Sequence, residues 1–287
     1  MVSMDPAIER GAARVASGQT RPRLAPPRLR LPFSGIGALR ALIVPLLILA
    51  LWQLAVNREF YSRGQLPAPL DVIAAGRELQ DIGLLVPNVL ASVERVAIGW
   101  SAGAAIAIVL GLAIGFSRPI EGLLGPTLNA LRAVPSLAWV PLFVLWLGIG
   151  ETPKLTLIAV GAFFPVYTNL VSGVRQIDRK LIEVGRAYGL RGWSLTREIL
   201  APAAFPSLAT GLRMGLAQAW LFLVAAELIA ASRGLGFLLI DGQNNGRADI
   251  ILLSIVLLAL LGQGTDWLLA RGERRLLRWS DTFRGTA

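Results

Sequence analysis

The chain has 287 residues, 54% of them hydrophobic and only 16% charged, with a mean hydropathy of +0.61 and a formal net charge of +10. Ordinary soluble domains carry about 25% charged residues, so this composition points to a polytopic membrane protein rather than a pair of soluble domains. Cysteine and histidine are both absent, which removes disulfides, thiolate metal sites, the commonest general base and the commonest metal ligand, and argues against a metalloenzyme or a triad hydrolase.

Residues 1–36 are rich in Arg, Pro, Gly and Ala and show no amphipathic period. They read as a disordered basic tail and not as a signal peptide. Six apolar stretches follow, each near the ~20 residues a bilayer requires. They lie at about 39–56, 96–116, 133–150, 155–174, 208–231 and 250–270. The expected fold is therefore all-α, with six transmembrane helices and short tails at both ends, the second over 276–287. Between the first two spans, Asp71 to Leu85 reads either as a short amphipathic helix at the membrane surface or as a covered loop.

The basic residues fix an orientation. With both termini in the cytoplasm, segments 1–40, 117–132, 175–200 and 271–287 carry twenty Lys and Arg, whereas 57–92, 148–154 and 232–249 carry six. That bias follows the positive-inside rule. The charge tracks topology instead of gathering on one face, which argues against nucleic acid as a partner; attraction to anionic lipid accounts for the excess.

Within the spans, Gly99 and Gly103, and Gly111 and Gly115, are spaced four apart. The spacing suits close helix packing in lipid, although Gly and Ala are common in membrane helices in any case. Pro135, Pro141 and Pro165 fall inside or at the start of spans, as plain kinks or as bends around a pathway. Glu227 is the one acid in the 208–231 span, so it should face the bundle interior with a partner, for which Arg95 and Arg213 are the candidates. A structural or gating role suits it better than a proton relay. Arg132, Ser136 and Asn169 are polar groups that either line a route for an anion or serve as headgroup anchors and interhelical contacts.

One long polar segment interrupts the apolar chain, including "EVGRAYGLRGWSLTREILAP" from Glu183 to Pro202. From Asp178 to Tyr188, apolar or small residues recur at helical spacing opposite Arg179, Glu183 and Arg186. Gly189 and Gly192 mark a turn, and Ser194 is placed to cap a second helix. A short amphipathic helix offered at a membrane surface suits a groove in another protein. The only lysines, Lys154 and Lys180, lie in no G-x-x-x-x-G-K-[ST] pattern, so the chain has no phosphate-binding loop. No nucleophile–base constellation is present either, and no catalytic, cofactor or metal site is expected.

Glu183, Gly189, Ile199 and Pro202 fit the pattern E-A-A-x-x-x-G-x(9)-I-x-L-P with its spacing intact, while Val184, Gly185 and Ala201 depart from it. On this motif, and on "LRAVPSLAWVPLFVLWLGIGETPK", "FFPVYTN", "VRQIDRKLIEVGRAYGLRG" and "GLRMGLAQAW", residues of about 40–275 resemble the permeases of ABC importers. The similarity is greatest to the aliphatic-sulfonate branch, with taurine and nitrate permeases as sisters. The resemblance implies a type I importer permease domain over 37–275, with a cytoplasmic coupling segment at 175–203. It implies a second permease copy, two cytoplasmic ATPase subunits that hold ATP and Mg, and a periplasmic or lipid-anchored binding protein. Glu183, Tyr188, Gly189, Leu190, Arg191, Ile199 and Pro202 would then shape or contact the ATPase joint in a bacterial inner membrane. An ion-coupled secondary transporter would instead show inverted repeats and more buried ionisable groups, and the sequence has neither.

Overall fold

The computed structural model describes residues 35–58 and 64–277, and every regular element among them is helical. The expected tails at 1–36 and 276–287 fall almost wholly outside the described residues. The first helix, α1 (Gly35–Asn57), is apolar along its length and contains Pro45. The architecture that follows is that of the unit beginning at Leu51.

α2 (Pro69–Asp81) resolves the alternative left open for the loop after the first span, since it is a helix. Its Val72, Ala75 and Leu79 are buried, whereas Leu70 and Ile73 are exposed. Proline at its first position suits a helix start. It ends before Leu85 because Gly83 takes φ +73°, a conformation that glycine adopts without steric cost. The Trp52 indole donates to the Pro67 carbonyl at 3.1 Å and packs on the same cluster.

Three long helices build the centre: α3 (Leu85–Phe116), α6 (Glu151–Arg175) and α9 (Ala201–Ala230). α6 lies between the other two. Val96 of α3, Ile158 and Ala162 of α6, and Leu216, Ala219 and Leu223 of α9 form one core cluster. Ala104, Ala107 and Ile114 meet Val166, Tyr167 and Val171 in another. The glycine spacing in α3 has a packing cause. A Cβ on Gly99 would come within 2.6 Å of Ile158, one on Gly111 within 2.9 Å of Leu170, and one on Gly103 would overlap the Ala159 carbonyl. Small residues here let the α3 and α6 backbones meet.

The expected third span, 133–150, is where the fold departs from the pattern. Residues 117–132, counted above as a cytoplasmic segment between spans, form α4 (Arg118–Ala133). A 3₁₀ turn (Ser136–Trp139) and α5 (Val140–Leu147) follow, at 89° to α4. Pro135 supplies the break. It holds Val134 extended at ψ 125° and cannot donate to a continuing helix.

The polar segment contains α7 (Arg179–Ala187) and α8 (Gly192–Leu195). α8 does not stop before the next span. A five-residue π turn, Thr196–Leu200, joins it to α9, giving a continuous apolar helix from Gly192 to Ile229. Pro202 lacks an N–H, and the wider turn just before it accommodates the lost bond. α10 (Leu235–Asn244) and α11 (Ala248–Leu276) complete the unit. Four described helices are long and apolar enough to cross a membrane, and the bent α4–α5 pair makes a fifth candidate. With the apolar helix α1, the set is compatible with six spans. Exposed apolar side chains such as Ile106, Val109, Leu260 and Leu268 suit a lipid surround.

Candidate functional site

Three polar features stand out in this apolar frame. The first surrounds Glu227, which is 1% exposed near the end of α9. Of its two sequence-level partners, Arg95 reaches it, with Nη1 donating to Oε1 at 2.7 Å. Arg213 does not; it pairs with Asp266 at 2.9 Å and with Glu273, and so ties α9 to α11. The Arg95 Nε and Nη2 groups form a two-pronged bond to Glu151, at 2.6 and 2.8 Å, and Lys154 adds a third donor there. Two cations thus face two carboxylates.

Glu227 also organises the chain that follows it. The Ser92 hydroxyl lies 2.8 and 3.0 Å from its two oxygens. At the start of α10, Gly234 N–H donates to Asn88 Oδ1, Leu235 N–H to Ser92 Oγ, and Gly236 N–H to Glu227 Oε2. Helix starts leave their first N–H groups without intrahelical partners, and here buried side chains of α3 and α9 accept them. Gly234 sits at φ +127°, and a Cβ there would overlap the Glu227 carboxylate. Among the described residues, every buried side-chain nitrogen and oxygen has a partner. The cluster locks α3, α6, α9 and α10 together. Asn88 and Ser92 escaped sequence reasoning because nothing marks an Asn or Ser at a helix start as the partner of a residue more than 130 positions away.

The second feature is a cavity of about 630 Å³ between α4 and α6. Arg118, Glu121, Asn129 and Arg132 face it from α4; Thr168, Ser172 and Arg175 face it from α6. Glu121 and Arg175 pair across it. Of the three polar residues suggested for a route, only Arg132 lines it. Ser136 opens the 3₁₀ turn, and the Asn169 amide donates to the Pro165 carbonyl at 2.8 Å, one helical turn back, with Met214 Sδ at 3.5 Å.

The third feature is the polar segment. Asp178 caps α7, accepting from Lys180 N–H at 2.9 Å. α7 ends in a paired reverse turn: Leu190 N–H donates to Gly185 O, and Gly189 N–H to Arg186 O, with Gly189 at φ +81°. This is the helix ending that glycine favours. Ser194 lies inside α8 and not ahead of it; its Oγ accepts from Arg191 N–H at 3.1 Å, so Arg191 takes the capping position. Glu183 and Arg191 point to the exterior, and Tyr188 and Trp193 are 83% and 77% exposed. Ile199 and Pro202 are half-buried. Ile199 turns back onto Gly185 along with Leu195, whose Cδ1 would lie 2.7 Å from a Cβ at that position. That contact explains a glycine where the motif has alanine.

At the start of α11, one surface triad adds a tether. Arg247 bonds Glu78 of α2 at 2.7 and 3.1 Å and Asp249 at 2.8 to 3.1 Å. The guanidinium holds the Glu78 carboxyl below the usual carboxylate range, and the two carboxylates push Arg247 upward.

A helical membrane chain with a broken span, a packed buried ion cluster, and an exposed helical segment presenting uncovered aromatics suits a transport subunit. The comparisons agree. The family model described as "Binding-protein-dependent transport system inner membrane component" matches residues 103–278. The chain is 37% identical over 249 residues to a Bacillus subtilis protein named for aliphatic sulfonates transport, the permease SsuC, covering 87% of this chain and 90% of that one. It is 40% identical over 240 residues to the Escherichia coli protein of the same name, covering 84% and 91%. Among solved structures, the MetNI methionine ABC transporter in its inward-facing form matches with a TM-score of 0.60 at 21% identity, over 69% of this chain and 98% of that one. The chain therefore belongs to the inner-membrane component family of binding-protein-dependent transport systems. It is the permease subunit of an ABC importer, and membership implies an ATPase and a solute-binding protein as its partners.

Proposed function

We propose that this permease imports aliphatic sulfonates, working as two copies with two cytoplasmic ATPase subunits and a periplasmic or lipid-anchored binding protein. The observation that carries the solute assignment is the 37–40% identity, over more than four-fifths of the chain, to two permeases named for aliphatic sulfonates. The charge bias supports cytoplasmic termini and puts residues 175–203 on the same side. The ATPase holds ATP and Mg, and α7 with its exposed turn sits in that subunit. Glu183, Gly189 and Ile199 shape the joint; Tyr188, Leu190 and Arg191 touch the partner. ATP binding closes the ATPase pair and moves α7. The helix from Gly192 to Ile229 carries that motion about 55 Å at ~1.5 Å per residue, from the joint to the Glu227 cluster. The spans rock from inward-facing to outward-facing, and hydrolysis resets them.

The solute assignment is tested by screening the cognate binding protein against alkanesulfonates, taurine and nitrate. Tight binding of alkanesulfonates is expected. Tight binding of nitrate alone, or of taurine alone, would replace the assignment.

A further inference from the structure

The cavity between α4 and α6 is charged in a way its own packing does not explain. Glu121 neutralises Arg175, but Arg118 and Arg132 have no ion pair or hydrogen bond among the described residues. Asn129 and Ser172, which also line it, have side chains without a partner among the described residues. Arg118, Gly125, Asn129 and Arg132 recur at helical spacing, so α4 turns one stripe toward the cavity over about 21 Å, at ~1.5 Å rise per residue. Two uncompensated guanidiniums therefore face one space.

The position of Arg132 sharpens this. α4 and α5 are apolar enough for a membrane only together, from Arg118 to Leu147, as a broken span or a re-entrant loop, and the 89° break lies between Ala133 and Ser136. Arg132 stands beside that break, midway along the pair. An unpaired cation midway along a span is costly unless water or an anion reaches it, and irregular backbone at such depth is tolerated where it lines a cavity. A volume of about 630 Å³ lies in the range of small-molecule sites. Guanidinium groups bind oxyanions with two parallel donors, and Asn and Ser supply neutral ones.

We propose that the cavity between α4 and α6 is an oxyanion site, with Arg132 as its main ligand, Asn129 and Ser172 as neutral donors and Arg118 as the second positive point. A sulfonate in transit and a phospholipid headgroup phosphate share this chemistry. The first source rests on the sulfonate reading above; the site itself does not.

The test uses the permease–ATPase membrane complex in phosphatidylcholine nanodiscs, with wild type, Arg132→Gln and Arg132→Lys compared. The probes are radiolabelled ethanesulfonate, inorganic sulfate as competitor, and phosphatidylglycerol added at one-tenth of the lipid. If the transported anion occupies the site, ethanesulfonate binds, sulfate displaces it, Arg132→Gln weakens binding at least tenfold and Arg132→Lys recovers most of it. If the headgroup occupies it, phosphatidylglycerol survives delipidation on wild type, is lost from Arg132→Gln, and ethanesulfonate does not bind. Thermal unfolding of each variant separates lost binding from lost fold. Binding that is absent for every probe, or indifferent to Arg132 in a variant that unfolds like wild type, overturns the proposal. Arg132-dependent binding of sulfate or phosphatidylglycerol in an importer that takes up no sulfonate would overturn the solute reading and leave the site standing.

Discussion

At the scale of single residues, Arg95 and Glu227 carry the most consequence. Their side chains are 7% and 0% exposed, so neither charge has water to fall back on. Removing one partner of such a pair costs about 3–5 kcal/mol, because the other is left buried and uncompensated. Arg95→Met is therefore expected to lower the unfolding midpoint sharply in detergent, and an unchanged midpoint would contradict the account of this cluster. Gly185 makes a smaller, local prediction. The Leu195 tip occupies the space a Cβ would need, so Gly185→Ala should cost about 1 kcal/mol or less, the crowding being partly relieved by the flexible Leu195 side chain and offset by alanine's better helix propensity. Adding Leu195→Ala should recover part of the loss; an additive double variant would remove Leu195 as the cause. Sequence alone marked Glu227 as needing a partner and offered Arg95 as one of two. It could not choose, because both arginines lie near the ends of their expected spans, and only the packing of α3 and α9 against α6 brings one of them to 2.7 Å from Glu227.

At the scale of elements, the apolar runs were legible because lipid demands them, and α3, α6, α9 and α11 fall close to four of the six expected spans. The third was not. A run of apolar residues gives length but no direction, and Pro135 turns what reads as one span into a 3₁₀ turn and a short helix set across α4. α4 was hidden because its apolar residues are interleaved with glycine, proline and arginine at 118–132, a composition that resembles a loop. The continuity from α8 into α9 was hidden for a related reason: Pro202 and Pro206 look like stops, and the π turn that accommodates the first has no sequence mark. α2 carries a pH prediction. Arg247 lowers the Glu78 carboxyl below its ordinary value of 4.5. A depressed carboxylate contributes its tether fully above that ordinary value and loses it as pH falls through the lowered one. Glu78→Gln should therefore speed amide exchange in α2 severalfold at neutral pH, with the difference from wild type shrinking as pH falls below the ordinary value and through the lowered one. A difference that persists or grows in acid would rule out the ion pair as the cause.

At the scale of the whole molecule, the buried ion cluster and the polar segment sit at opposite ends of one continuous helix, Gly192 to Ile229. One end is locked to α3, α6 and α10 by ion pairs and N–H donors; the other leaves two aromatics uncovered. That division explains why a chain with so few charges gathers a block of them between two spans. The chain has no phosphate loop, and in the function proposed above the polar segment is its surface for a partner that has one.

The central claim is that this segment is the joint through which a separate ATPase drives transport. Gly189 tests it most directly, because its φ of +81° forms the turn that presents Tyr188, and a β-branched residue there strains the turn without touching any span. ATP-driven ethanesulfonate uptake should be measured in proteoliposomes holding the permease, its ATPase and its binding protein, for wild type and Gly189→Ile. The account predicts accumulation by wild type and at least a hundredfold loss in Gly189→Ile, with membrane insertion unchanged. Uptake at the wild-type rate in Gly189→Ile would contradict it.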